Sequence, residues 1–205
     1  MNYDTPATPE TVAKTIAALE ERNFHATEAS SKEEALETIK KLIPAGASIM
    51  NGASGTLEQI GFIEYLKAGE HGWNNIHGQI IAETDPVKKA ALRQQGILSD
   101  FYIGSVHAVS EEGELVVASA SGSQLPHFAF TSQNIILVVG TQKITPTLTD
   151  ALTRLREYVF PLENQRMADA GMGGSVLSKI LILEREPAFM NRSIHVLFVP
   201  EKLGF

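Results

Sequence analysis

Apolar residues recur along the chain with the spacing of helices, and shorter apolar runs separate these segments. The first two helical patterns begin at capping signals, Thr8-Pro9 and the capping box Ser31-Lys32-Glu33-Glu34. Further helices are predicted after Gly55, from Asp85-Pro86 and from Pro146 onwards. Strands are therefore expected in the short apolar runs between them.

The clearest strand pattern is Ile135–Val139, a continuous apolar run that is β-branched apart from one leucine. Such a run is typical of a parallel strand that is buried on both faces. Shorter runs predict strands at Ala47–Met50, Ser178–Leu183 and Ser193–Val199. Because helices and strands alternate throughout, we expect a single α/β domain over residues 1–205, with a largely parallel sheet and flanking helices. The parallel sheet is expected to include strands near Ala47–Met50, Phe101–Gly104 and Ile135–Val139.

The stretch from Ser99 to Leu125 adds a hairpin to this plan. Phe101–Val106 is predicted as one strand, Glu111-Glu112-Gly113 as a turn and Leu115–Val117 as the second strand. The small residues Ser119–Ser123 follow, and their backbone N–H groups can approach a ligand without an intervening side chain. The alternative interpretation is a tight turn that lets two strands pass closely.

Two other segments after predicted strands have residues suited to an anion. Gly52–Thr56 joins a strand to a helix, and helix N-termini present unpaired N–H groups to anions. Alternatively, Ser54 or Thr56 only caps that helix. Lys143 follows the strand at 135–139, at the end where open α/β sheets bind ligands. An ordinary solvated lysine is the alternative for Lys143.

Histidine and cysteine usage predicts neither a metal nor another cofactor. The chain has no cysteine, which excludes thiolate zinc sites and cysteine-ligated iron–sulfur clusters. Its six histidines show no ligand spacing. The glycine- and asparagine-rich segment Gly69–Gly78 is predicted as a long loop, in which His71 and His77 are expected to be exposed to solvent.

Composition and charge limit the classes of partner. A net charge of −7 over 205 residues, without a long basic run, argues against binding to nucleic acid. No apolar run approaches the roughly 20 residues that a membrane span needs, and residues 1–10 lack the features of a signal peptide. We therefore expect a cytoplasmic protein.

The chain resembles the lactate-utilisation (LUD) domain proteins over nearly its whole length. The resemblance lies in Asn51–Gly61, Ser99–Val116, Val138–Arg166 and Ile194–Phe205. It implies a fold similar to glucosamine-6-phosphate deaminase, ribose-5-phosphate isomerase and CoA-transferases. It also implies a cytoplasmic role in L-lactate oxidation alongside iron–sulfur partner proteins. Many relatives carry a cysteine-rich segment before the final strands, and this chain does not.

Two classes of function remain open. In the first, an enzyme or enzyme subunit binds a small anionic metabolite, such as a hydroxy or keto acid, a phosphosugar or an acyl-CoA. In the second, a non-catalytic accessory protein binds a ligand or a partner of an oxidation complex. Asp100 and Glu112 flank the first hairpin strand and are acid–base candidates, with ordinary surface carboxylates as the alternative.

The candidate ligand-binding residues come from three segments of the chain. We expect Gly52–Thr56, Ser119–Ser123 and Lys143 to line one anion pocket at the carboxyl edge of the sheet, with Lys143 supplying the charge. The full candidate set is Gly52, Ser54, Thr56, Gly104, Ser105, Ser121, Gly122 and Lys143.

Overall fold

Ten strands form two sheets in the computed structural model, which describes residues 2–205. In chain order they are β1 (His25–Glu28), β2 (Ser48–Asn51), β3 (Asn74–Asn75), β4 (Phe101–Gly104), β5 (Ala108–Ser110), β6 (Leu115–Ser119), β7 (Asn134–Gly140), β8 (Ile144–Thr145), β9 (Lys179–Leu183) and β10 (Ser193–Val199).

Helices connect and cover these strands. They are α1 (Pro9–Glu21), α2 (Lys32–Leu42), α3 (Gly55–Gln59), α4 (Phe62–Ala68), α5 (Ile76–Ala82), α6 (Pro86–Gly96), α7 (Leu148–Arg154) and α8 (Phe160–Asp169). A π-helical turn at Leu155–Val159 joins α7 to α8, so this long helix continues past Pro161. The predicted caps are confirmed, because the Thr8 and Ser31 side chains accept N–H groups from the first turns of α1 and α2.

The main sheet has six strands in the order β1-β10-β7-β4-β2-β3, and every neighbouring pair is parallel. The predicted largely parallel sheet is thereby confirmed, as is the expected strand at Phe101–Gly104, which is β4 and pairs with β2 and β7. Residues Ile135–Val139 form the body of β7, between β10 and β4, and all five are 0% exposed. The prediction of a strand buried on both faces is confirmed as well.

Alternate residues of β7 pack against different layers. Ile135, Leu137 and Val139 belong to a core that contains Val12 of α1 and Val117 of β6. The other face of the sheet, which includes Ile136 and Val138, packs against residues of α2, α3 and α4. Each face of the strand therefore has its own hydrophobic core.

The second sheet has four strands in the order β8-β5-β6-β9. Strands β5 and β6 pair antiparallel, so the added hairpin is confirmed. Ala108 and Val116 on its far face pack against Ala151, Leu155 and Val159 of the long helix. The second sheet therefore lies between the main sheet and that helix.

Two predictions of local structure were wrong. Phe101–Val106 is not one strand, because β4 ends at Gly104 and the chain crosses to the second sheet before β5. Gly69–Gly78 is not wholly a loop. Asn74–Asn75 pairs with β2, and the Asn75 side chain accepts the Gly78 N–H at 2.9 Å and caps α5. Asparagine is a favoured turn residue as well as a helix cap, and only the tertiary context selected the cap.

A buried ion pair connects the loops at the amino end of β10. Arg192 and Glu186 lie 3.2 Å apart, with side chains 3% and 4% exposed. The Arg192 guanidinium also donates to the carbonyls of Ser132, His127 and Phe128. Removing Arg192 would leave three carbonyls and one carboxylate without these donors.

We predict that Arg192→Met lowers the free energy of unfolding by about 3–5 kcal/mol, because breaking a buried pair leaves an uncompensated charge. Lys14→Met is the matched control, since it removes an ion pair to Glu111 whose lysine side chain is 65% exposed. Urea unfolding followed by circular dichroism measures both. Equal unfolding midpoints for the two variants would contradict a structural role for Arg192.

Candidate ligand-binding site

The carboxyl ends of β2, β4 and β7 meet at one edge of the main sheet, because the three strands are parallel neighbours. The segments that follow them contain most of the candidate residues. The structure divides these residues between an open cavity beside β2 and a buried cluster around Lys143.

The cavity has a volume of about 530 Å³. This volume lies in the range of small-molecule sites. Its walls come from the end of β2, the helices α5 and α6, the loop after β6 and the π-helical turn at His127–Thr131. The lining residues are Met50, Asn51, Gly52, Ala53, His77, Ile80, Ile81, Lys89, Arg93, Ile97, Ser121, Ser123 and His127.

The predicted turn at 52–56 contributes to the cavity only through its first residues. Gly52 is required by packing, since a Cβ atom there would lie 3.0 Å from both the Gln124 Oε1 and the Tyr102 Oη atoms. Ser54 is directed to its own helix, because its Oγ accepts the Leu57 N–H at 3.3 Å and caps α3. The structure therefore uses Ser54 as a cap.

The small-residue loop presents hydroxyl groups rather than free N–H groups. The Gly122 N–H donates to Ser119 Oγ at 2.9 Å, and the Ser123 N–H donates to Ser121 Oγ at 3.3 Å. Ser121 and Ser123 line the cavity, and their Oγ atoms are 3.0 Å apart. Gly122 has a φ of +85° and packs against Lys179, since a Cβ atom there would meet Lys179 Cδ at 2.7 Å.

The cations of the cavity come from α6. Lys89 and Arg93 line it, and no aspartate or glutamate does. Within residues 2–205 neither side chain forms an ion pair, and Lys89 Nζ donates only to the Glu83 carbonyl. The cavity wall is therefore positively charged, which suits an anionic ligand.

His77 is the lining residue best placed to transfer a proton. It is the second residue of α5, is half-buried, and its Nδ1 lies 3.2 Å from Asn51 Oδ1. An amide oxygen only accepts hydrogen bonds, so Nδ1 carries the proton and Nε2 carries a free lone pair. Burial lowers the pKa of His77, which keeps the ring neutral at neutral pH. The expectation of a solvated loop histidine at this position was wrong.

Lys143, Thr56 and Ser105 form a separate buried cluster. Lys143 Nζ donates to Thr56 Oγ1 at 2.9 Å and to Ser105 Oγ at 3.0 Å. The two hydroxyls donate onward to the carbonyls of Leu203 and Val138. Both hydroxyl protons are thus engaged, and both oxygens are free to accept from the amine.

The amine of Lys143 is withdrawn from solvent, with the residue 3% exposed. Burial, with a smaller contribution from the Arg154 guanidinium, lowers the pKa of Lys143 to about 7. Gly204 covers it, since a Cβ atom on Gly204 would lie 2.6 Å from Thr56 Oγ1 and 3.3 Å from Lys143 Nζ. The alternative interpretation of Lys143 as an ordinary solvated lysine was wrong.

The remaining candidates lie outside the cavity lining. Gly104 is the buried last residue of β4, and Ser105 follows it in the Lys143 cluster. Asp100 precedes β4 at the amino edge of the sheet, where its carboxylate accepts from the Ser48 N–H and hydroxyl. Glu112 is exposed in the turn between β5 and β6.

Sequence reasoning missed His77, Lys89 and Arg93. The four-residue spacing of Lys89, Arg93 and Ile97 places them on one face of α6, which was a detectable signal. Nothing in the sequence showed that this face is directed toward the end of β2.

No group of three or more His, Cys, Asp or Glu side chains that could hold a metal ion exists among residues 2–205. No helix within the same residues is long and apolar enough to cross a membrane.

Comparisons with known proteins identify the family of the chain. The structure is similar to the crystal structure of a DUF162 family protein from Deinococcus radiodurans, with a TM-score of 0.54, and at 11% sequence identity this likeness concerns the fold. The alignment covers 95% of this chain and 98% of that one. No curated protein gives a significant match. The LUD domain model matches residues 12–199, and the chain therefore belongs to the LUD domain family.

Proposed function

We propose that this protein binds a small anionic metabolite in the cavity beside β2 and acts in L-lactate utilisation, as an enzyme or as the binding subunit of one. The observation that carries the proposal is the charge of the cavity wall, which has Lys89 and Arg93 but no carboxylate. The hydroxyls of Ser121 and Ser123 add hydrogen-bonding groups at the same wall.

The proposal assigns the ligand's counter-charge to Lys89 and Arg93 instead of Lys143. The Lys143 amine already donates to two hydroxyls and is covered by Gly204. A neutral amine with two N–H donors matches those two acceptors, and no carboxylate among residues 2–205 forms an ion pair with it. Lys143 thus holds the segments after β2 and β4 and the last residues of the chain together.

Family membership supports the metabolic assignment to lactate utilisation. In that role the protein works alongside iron–sulfur partner proteins. We propose that those partners hold any cluster, since this sequence has no cysteine to ligate one.

The alternative function is that of a non-catalytic accessory protein. Two exposed aromatic residues favour it, Phe130 and Phe189, which are 68% and 86% exposed. The chain segments that contain these two residues are joined by hydrogen bonds from Arg192 to the His127 carbonyl and from Gln133 to the Asn191 carbonyl.

A thermal-shift screen with lactate, pyruvate, phosphosugars and CoA esters separates the two functions, since a ligand that binds the native state raises the melting temperature. No shift with any of them would favour the accessory function.

We predict that Arg93→Gln raises the Kd of the anion found in that screen by about tenfold, because a hydrogen bond to a charged group contributes roughly 1.5–3 kcal/mol. Lys88→Gln is the matched control, since Lys88 is an exposed cation of α6 that does not line the cavity. Isothermal titration calorimetry measures both. An equal Kd for the two variants would show that charge at the cavity wall does not bind the ligand.

We also predict that Lys143 makes the free energy of unfolding depend on pH. The folded-state pKa of about 7 lies below the ordinary lysine pKa of 10.5, so the unfolded chain binds more protons between these values and stability rises with pH. Relative to Lys143→Met, the wild type should gain about 2 kcal/mol of unfolding free energy from pH 7 to pH 9. Urea unfolding at several pH values tests this. A difference between the two proteins that stays constant with pH would mean that the buried amine is charged.

A further inference from the structure

The cavity is too large for lactate alone. A three-carbon hydroxy acid has six heavy atoms, and at roughly 30 Å³ each, the share of a water molecule in the liquid, it occupies about 180 Å³. The cavity volume is about 530 Å³. Roughly two-thirds of the space would then remain outside a bound lactate.

Part of the remaining lining is apolar, namely Met50, Ala53, Ile80, Ile81 and Ile97. Lys89 and Arg93 lie four residues apart on one face of α6, and Ile97, four residues further on, is its C-cap residue in a helical conformation. With a rise of 1.5 Å per residue, about 12 Å separate the backbone at Lys89 from that at Ile97. The wall formed by α6 therefore changes from cationic to apolar over a length that exceeds a three-carbon acid.

Contacts around Gly96 locate the apolar end. A Cβ atom on Gly96 would lie 3.6 Å from Met50 Sδ and 3.7 Å from Ile80 Cδ1, so these side chains pack beside the last turn of α6. Ile81 also lines the cavity, with 66% of its surface exposed, although large apolar side chains are usually buried. An aliphatic ligand would cover these groups.

Building on the proposed anion site, we infer that the ligand is a carboxylate with an aliphatic tail of several carbons, such as a medium-chain 2-oxo or 2-hydroxy acid. Its carboxylate lies at Lys89 and Arg93, and its tail lies along Met50, Ile80 and Ile81 toward Ile97. The cations hold the head through charge, and tail length determines affinity through burial of methylene groups.

The test is a series of straight-chain 2-oxo acids from pyruvate to 2-oxooctanoate, titrated calorimetrically into the full-length protein at fixed pH and ionic strength. Burial of each added methylene should lower Kd roughly two- to fourfold until the cavity is filled. Equal Kd values for pyruvate and 2-oxooctanoate would overturn the inference and leave the proposed anion site intact. No binding by any member, together with a thermal shift by a phosphosugar or CoA ester, would overturn the inference alone. No binding by any member and no thermal shift with any ligand of the screen would overturn both.

Two variants test separately where the carboxylate and the aliphatic tail of the ligand bind. Arg93→Gln should raise Kd by a similar factor for every member of the series and preserve the dependence on chain length. Ile81→Asn should reduce that dependence, with little effect on pyruvate. Val87→Asn is the control, because Val87 is 77% exposed on α6 and does not line the cavity. An unchanged dependence in Ile81→Asn would overturn the position assigned to the tail.

Discussion

The burial of β7 on both faces is the constraint on which the rest of the structure depends. A strand without a polar face must be covered by one layer on each side, and here those layers are the helices α2 to α4 and the combination of α1 with the second sheet. Parallel pairing with β4 and β10 then brings the carboxyl ends of these strands to one edge. The Lys143 cluster and the end of the cavity at β2 both lie at that edge, where open α/β sheets bind ligands.

Near this edge, basic side chains have two different environments. Lys143 is enclosed by Thr56, Ser105 and the last residues of the chain, and loss of hydration favours its neutral form. Lys89 and Arg93 lie on the wall of the open cavity. An enclosed amine is suited to holding segments together, whereas a solvated cation is suited to binding an anion.

Much of the fold was predictable from the sequence because its determinants are local. The caps at Thr8 and Ser31 require only a hydroxyl beside a helical pattern, and both were predicted. The run Ile135–Val139 identified its strand because it is short and β-branched apart from one leucine, as is typical of a strand buried on both faces. The break between β4 and β5 was not predictable, since Phe101–Val106 has a continuous strand pattern and the change of sheet depends on contacts with β7 and β8.

For the site, the sequence was enough to select the small residues after β2 and β6 and the position of Lys143 after β7. The tertiary structure sets which of these groups are exposed to a ligand. It enclosed Lys143 beneath Gly204, used Ser54 as a helix cap and brought one face of α6 to the cavity. Periodicity shows that a helix has a face, but the direction of that face is set by packing between elements that are distant in the sequence.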